Sequence, residues 1–95
     1  MKVKVTLDDQ PLAFIRSQAP ETRRALRDAL HGVEKGERHP EPLEAELAGF
    51  FKLKVGGHRM ILQSVASETG PALRVIFAEK REAVYALFSQ LLGLE

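Results

Sequence analysis

The stretch FFKLKVGGHRMILQ, residues 50–63, holds two lysines, an arginine and a histidine and no carboxylate. Phe51, Leu53 and Val55 alternate with Lys52 and Lys54, the period-two pattern of a half-buried strand. Gly56-Gly57 reads as a two-residue hairpin turn and His58 to Val65 as the return strand. Such a turn sets Val55 against His58, Lys54 against Arg59, Leu53 against Met60 and Lys52 against Ile61. Phe51, Leu53, Val55, Met60 and Leu62 then share one face, and Lys52, Lys54 and Arg59 share the other. Like charges directly opposed on paired strands are destabilising, by a few tenths to about 1 kcal/mol. No acid on these two strands offsets them. A bound polyanion removes the penalty and adds charge-assisted hydrogen bonds. The competing account is a solvated, lysine-rich edge hairpin that deters aggregation.

A second group lies in FAEKREAVY, residues 77–85. Arg81 and Tyr85 are four apart, so they share one flank of a helix. Arg81 in the first turn leans over the sheet beside Arg59, and Tyr85 offers a ring to a nucleobase, a contact worth roughly 1–3 kcal/mol. Against this stands an amphipathic tyrosine at the core edge with a wet hydroxyl.

The remaining candidates are weaker. His31 closes a helix, where it caps the dipole, and His39 sits in a proline-rich loop. His58 borders the hairpin turn and either assists phosphate binding when protonated or packs at the core edge. None of the three has metal-ligand spacing, so no metal and no other cofactor is expected. Gly56-Gly57 lacks the context of a phosphate loop. Arg23, Arg24 and Arg27 cluster on the outward side of one helix, which is ordinarily a solvated face.

These residues need a scaffold. Val3, Val5 and Leu7 alternate with Lys2, Lys4 and Thr6 as a first strand. Asp8 or Asp9 caps a short helix to about Ser17, with Pro11 in its first turn. Ala19-Pro20-Glu21 opens a second helix, whose Leu26, Leu30 and Val33 form an apolar stripe widened by Ala25 and Ala29. Gly36 stops it, and the short link makes the two helices a hairpin. His39 to Pro42 is expected as a loop, Ser67 to Pro71 as a turn, Ala72 to Ala78 as a central strand and Lys80 to Leu92 as the last helix, with Val84, Leu87, Phe88 and Leu91 buried. The expected fold is α+β in the order β-α-α-β-β-β-α, with an antiparallel-rich sheet, a helical hairpin, a C-terminal helix and the helices on one sheet face.

Composition bounds the function. The 95 residues suit one compact domain, with 44% hydrophobic and 28% charged residues, ordinary for a soluble protein. No apolar run reaches the ~18 residues of a membrane span, and MKVKVTLDD is not a signal peptide. The absence of cysteine excludes disulfides and thiolate catalysis, and fits the cytoplasm. The net charge of +1 hides an uneven distribution. Residues 34–49 carry five acids and two bases, whereas residues 50–81 carry six bases and two acids. A local basic cluster on a nearly neutral chain implies a defined anion site.

The succession of a small strand, a helical hairpin, FKLKVGGHRMIL and a strand leading into KREAVY resembles the RelE/ParE toxin superfamily. The resemblance runs from Lys2 to Leu92, is closest from Leu47 to Phe88, and makes residues 1–95 one RelE/ParE-like domain. It implies the toxin of a bacterial type II toxin–antitoxin system, a hydrolase of mRNA that blocks translation. In RNA-cleaving members the matching positions, Lys52, Lys54, Arg59, Arg81 and Tyr85, form the active site. Lys80, His58, Arg23 and Arg27 are further candidates for contact with RNA phosphate or ribosomal RNA. The chain departs from the pattern at His58, where nuclease members often have tyrosine. It also departs in the spacing of Arg81 and Tyr85, so that Lys80 or Arg81 can fill the arginine's place. The implied partners are an antitoxin with an amphipathic segment, mRNA and the ribosome, with no membrane and no small-molecule cofactor. Leu87, Leu91 and Leu94 are candidate antitoxin contacts. The alternatives are a ParE-like inhibitor of DNA gyrase and an inactive antitoxin-binding homologue.

Overall fold

Alternating burial carries the first strand, β1 (Lys4–Leu7): Val5 and Leu7 pack inward while Lys4 and Thr6 are exposed. The computed structural model describes residues 3–68, 70–80, 86, 88, 90 and 93. Helix α1 (Asp9–Arg16) follows, with Pro11 buried near its start, then α2 (Pro20–Glu34) with proline at its first position, where a missing N–H is harmless. Asp8 stands at the N-cap of α1 with extended backbone but makes no side-chain cap bond. Its Oδ1 instead accepts a 2.7 Å hydrogen bond from Arg74 Nε.

A two-residue strand β2 (Glu41–Pro42) and a short 3-10 turn (Ala45–Leu47) lead to β3 (Phe50–Val55), β4 (His58–Ser67) and β5 (Gly70–Lys80). The five strands lie in the order β1-β5-β4-β3-β2. β1 runs parallel to β5, and the other pairs are antiparallel. Beyond Leu7 the edge of β5 continues without β1, and a side chain takes over the ladder. Gln10 Oε1 accepts from Ala78 N at 2.8 Å, and Gln10 Nε2 donates to Ala78 O at 2.7 Å. Both backbone groups of Ala78 are thereby satisfied, and α1 is fixed to the sheet.

Each sheet face carries a core. Leu53, Met60, Leu62, Val75 and Ala78 meet Ile15, Leu26, Ala29, Leu30 and Val33 of the two helices. On the opposite face Ile61, Phe77 and Phe88 form a smaller cluster with Leu43, Leu47, Phe50 and Ile76. A register shift allows this: Ile61 pairs with Phe77 but Leu62 with Val75. Ile76 is thus an extra residue on β5, and a bulge of this kind re-aims side chains. Ile76 and Phe77 both join the second cluster.

Several expectations change. His39 to Pro42 is not wholly loop, because Glu41–Pro42 pairs with Lys52 and Phe51. The central strand is longer than Ala72 to Ala78, and Lys80 ends β5 rather than starting a helix. The helices do not all cover one face. Ala86, Phe88 and Gln90 are helical, and Phe88 packs edge-on against Phe50, with ring centroids 5.1 Å apart, on the face away from α1 and α2. Asp8 pairs with Arg74 instead of capping α1. Phe88 is buried as expected, whereas Val84, Leu87 and Leu91 lie outside the described residues. No described helix is long and apolar enough to cross a membrane.

Candidate functional site

The hairpin adopts the register expected from its sequence. Val55 pairs with His58, Lys54 with Arg59, Leu53 with Met60 and Lys52 with Ile61. Gly56 takes φ +58°, a conformation glycine enters without strain and a two-residue hairpin favours. Since Leu53, Met60 and Leu62 face α1 and α2, Lys52, Lys54 and Arg59 stand on the second face, beside the cluster around Phe88.

Their surroundings differ. Lys52 is about a quarter exposed, with Nζ 3.9 Å from Glu41 Oε2, a long contact between partly solvated groups that contributes little. Lys54 is exposed. Among the described residues ion pairs within 4.0 Å join only Lys52 to Glu41 and Arg74 to Asp8. Arg59 is half-buried, and its Nη1 donates at 3.1 Å to the carbonyls of Gly56 and His58. The guanidinium is therefore turned toward the hairpin turn. The Arg74 guanidinium is pushed above its ordinary pKa, first by the hydrogen bond to Asp8 and then by its charge.

The flanking strands bring acids that the hairpin lacks. Glu41 of β2 is the register partner of Lys52, and Glu79 of β5 that of Arg59. Glu79 accepts from Lys80 N through Oε1 at 3.1 Å. Neither residue was legible as a neighbour of the cations, because each arrives through a strand pairing distant in sequence. Arg38 was likewise missed: its Nη2 donates to Lys54 O at 2.7 Å. Its position between an acidic stretch and a proline-rich loop carries no signal of this contact.

Three of the expected residues are thus assembled, and others are not with them. His58 lies on the helix side of β4, its ring edge-on to Phe14 at 5.8 Å, in a hollow shared with Glu21, Thr22, Ala25 and Val55. Lys80 is the exposed register partner of His58, so alternation sets it on the side away from Glu79. Arg27 borders a hollow between α2 and β1 with Val5, Leu7, Leu30 and His31. It therefore lies toward the sheet edge opposite β3, and Arg23, one turn earlier, shares its flank. Arg81 and Tyr85 lie outside the described residues. Among the described residues no group of three His, Asp or Glu side chains is arranged to hold a metal ion.

The donors on this face suit an anion. Two ammonium groups and a guanidinium within one strand pair present several donors to an anion, and a fork-shaped guanidinium matches phosphate oxygens.

Solved structures share the fold. A chain of the RelBE2 toxin–antitoxin complex from Mycobacterium tuberculosis is 17% identical with a TM-score of 0.68, over 85% of this chain and 93% of that one. The YoeB/ParE toxin from Agrobacterium tumefaciens is 18% identical with a TM-score of 0.62, over 83% and 99%. A mutant of the E. coli toxin RelE in the free state is 24% identical with a TM-score of 0.68, over 90% and 93%. No protein-family model and no curated protein matches the chain. At these identities the likeness establishes a RelE-like α+β fold.

Proposed function

We propose that this chain is a toxin of the RelE/ParE superfamily, paired with an antitoxin, and that it cleaves mRNA without a metal, in the cytoplasm and at the ribosome. The observation that carries the reading is the Lys54–Arg59 pair. Two cations stand directly opposed on a sheet face, and among the described residues Lys52 beside them is relieved only by a carboxylate 3.9 Å away. The fold shared with RelE and YoeB/ParE toxins supports it. An antitoxin partner is supported by the likeness to a chain of a toxin–antitoxin complex.

RNA supplies its own nucleophile, the 2′-hydroxyl. Cleavage requires that oxygen in line with the scissile phosphate, loss of its proton, neutralisation of charge on the phosphorane and a proton for the leaving 5′-oxygen. In the proposed arrangement Lys52 takes the 2′-proton in its neutral amine form, while Lys54 and Arg59 hold the phosphate and its developing charge. Arg81 stabilises the leaving oxygen electrostatically, since a guanidinium is too weak an acid to donate readily; solvent water supplies the proton that oxygen takes as it departs, and Tyr85 stacks on a base. Arg59 must first swing from the Gly56 and His58 carbonyls onto the phosphate, exchanging neutral acceptors for a charged one.

The test is induced expression with mapping of RNA ends, followed by single-turnover cleavage of a short RNA with and without ribosomes. Cut transcripts, and loss of cutting in Arg59→Ala and Tyr85→Ala, support the reading. Intact transcripts with a DNA-damage response replace it with gyrase inhibition. Wild-type cleavage in both variants removes the site assignment.

A further inference from the structure

The β3–β4 hairpin is held unequally along its length. Near Phe51 and Lys52 the outer edge of β3 is covered by β2. From Leu53 to Val55 that edge has run past β2, whose pairing ends at Lys52. On the other side β4 remains paired to β5 as far as His58–Lys80. Among the described residues, the tip that carries Lys54 and Arg59 is thus secured on its β4 side and lacks a strand partner on its β3 side.

Arg38 fills that gap. It follows α2 in the chain, and its backbone N–H is bonded to Gly32 O at 3.1 Å, which fixes where the side chain starts. The methylenes then run over Gly32, where a Cβ on the glycine would meet Arg38 Cγ at 3.1 Å and Cδ at 3.3 Å. The guanidinium ends on the carbonyl of Lys54, 2.7 Å away. Gly32 is buried within a fifteen-residue helix, a location that favours alanine over glycine. The space its missing side chain leaves is the space the Arg38 stem uses.

We infer that Arg38 is a positioning residue for the phosphate-binding hairpin, clasping the backbone of Lys54 to α2 so that Lys54 and Arg59 are presented in fixed register. The inference rests on the proposed RNA cleavage for its functional consequence, and on the contacts alone for its structural one. A group that only positions its neighbours changes the rate in the bound complex, whereas a group that grips RNA changes affinity.

The experiment compares Arg38→Met, which keeps a stem over Gly32 and removes the donors, with Arg38→Lys, which restores one charged donor. Single-turnover cleavage is followed across RNA concentration. The expected result for Arg38→Met is a maximal rate lower by about tenfold, because small misplacements of reacting groups are amplified in rate. Half-saturation should change by less than about twofold, the mark of lost transition-state rather than ground-state interaction. Arg38→Lys should recover part of the rate. Amide exchange at Lys54 to Gly57 is measured on the same variants, and faster exchange confined to this tip in Arg38→Met is expected. A wild-type rate in Arg38→Met, or a change confined to half-saturation, overturns the inference. If the wild-type chain cleaves no RNA, the proposed function fails, and amide exchange then decides the clasp by itself. Unchanged exchange at the tip overturns it.

Discussion

Lys54 and Arg59 are direct register partners across the β3–β4 ladder, like charges held side by side where stability would favour an opposite pair. Removing one of them should therefore separate stability from function. Lys54→Ala is expected to leave unfolding free energy unchanged or raised by a few tenths of a kcal/mol, because Lys54 is exposed and makes no ion pair among the described residues. RNA binding should weaken. Urea unfolding and a filter-binding titration check both halves, and a destabilised variant with intact RNA affinity would contradict the account.

Salt should report how many phosphates the face holds. Three neutralised phosphates on single-stranded RNA give a slope of log affinity against log salt of about −2. Loss of Lys54 should make it shallower by about 0.7. A slope unchanged in Lys54→Ala would mean that this lysine touches no phosphate.

Glu79 stands opposite Arg59 from the β5 side, so it opposes any anion approaching that guanidinium. Glu79→Gln keeps the shape and removes the charge. RNA affinity is expected to rise about two- to fivefold at low salt, within the range of a partly screened surface pair, and the gain should fade as salt is added. Affinity equal to wild type at low salt would show that the carboxylate does not compete with RNA.

Gln10 and Phe88 test the scaffold. Gln10→Leu leaves the N–H and carbonyl of Ala78 without the partners they have at 2.8 and 2.7 Å, an expected loss of about 1–3 kcal/mol. Phe88 is 1% exposed between Phe50 and Phe77. Truncation to alanine should destabilise by about 3–5 kcal/mol, a large share of the stability of so small a domain. Chemical denaturation of both variants measures these losses. A wild-type midpoint for Phe88→Ala would show that the second core contributes nothing.

Periodicity and turn chemistry by themselves determined the hairpin. A one-residue slip would carry Leu53 and Met60 out of the core, and Gly56-Gly57 sets the turn, so the pairing of Lys54 with Arg59 was legible in the sequence. The two helices and the last two strands were legible for the same reason, since their patterns are local. Only the tertiary structure decided what stands beside the cations. Glu41 reaches Lys52 through a two-residue strand too short to show a period. Glu79 reaches Arg59 because β5 is longer than its apolar run. Phe88 covers the second face because a bulge turns Ile76 and Phe77 toward it. Arg38 meets the Lys54 carbonyl through a gap left by a glycine in another element. Each of these contacts joins segments remote in sequence, and their pairing follows from burial and backbone satisfaction in three dimensions rather than from any local pattern.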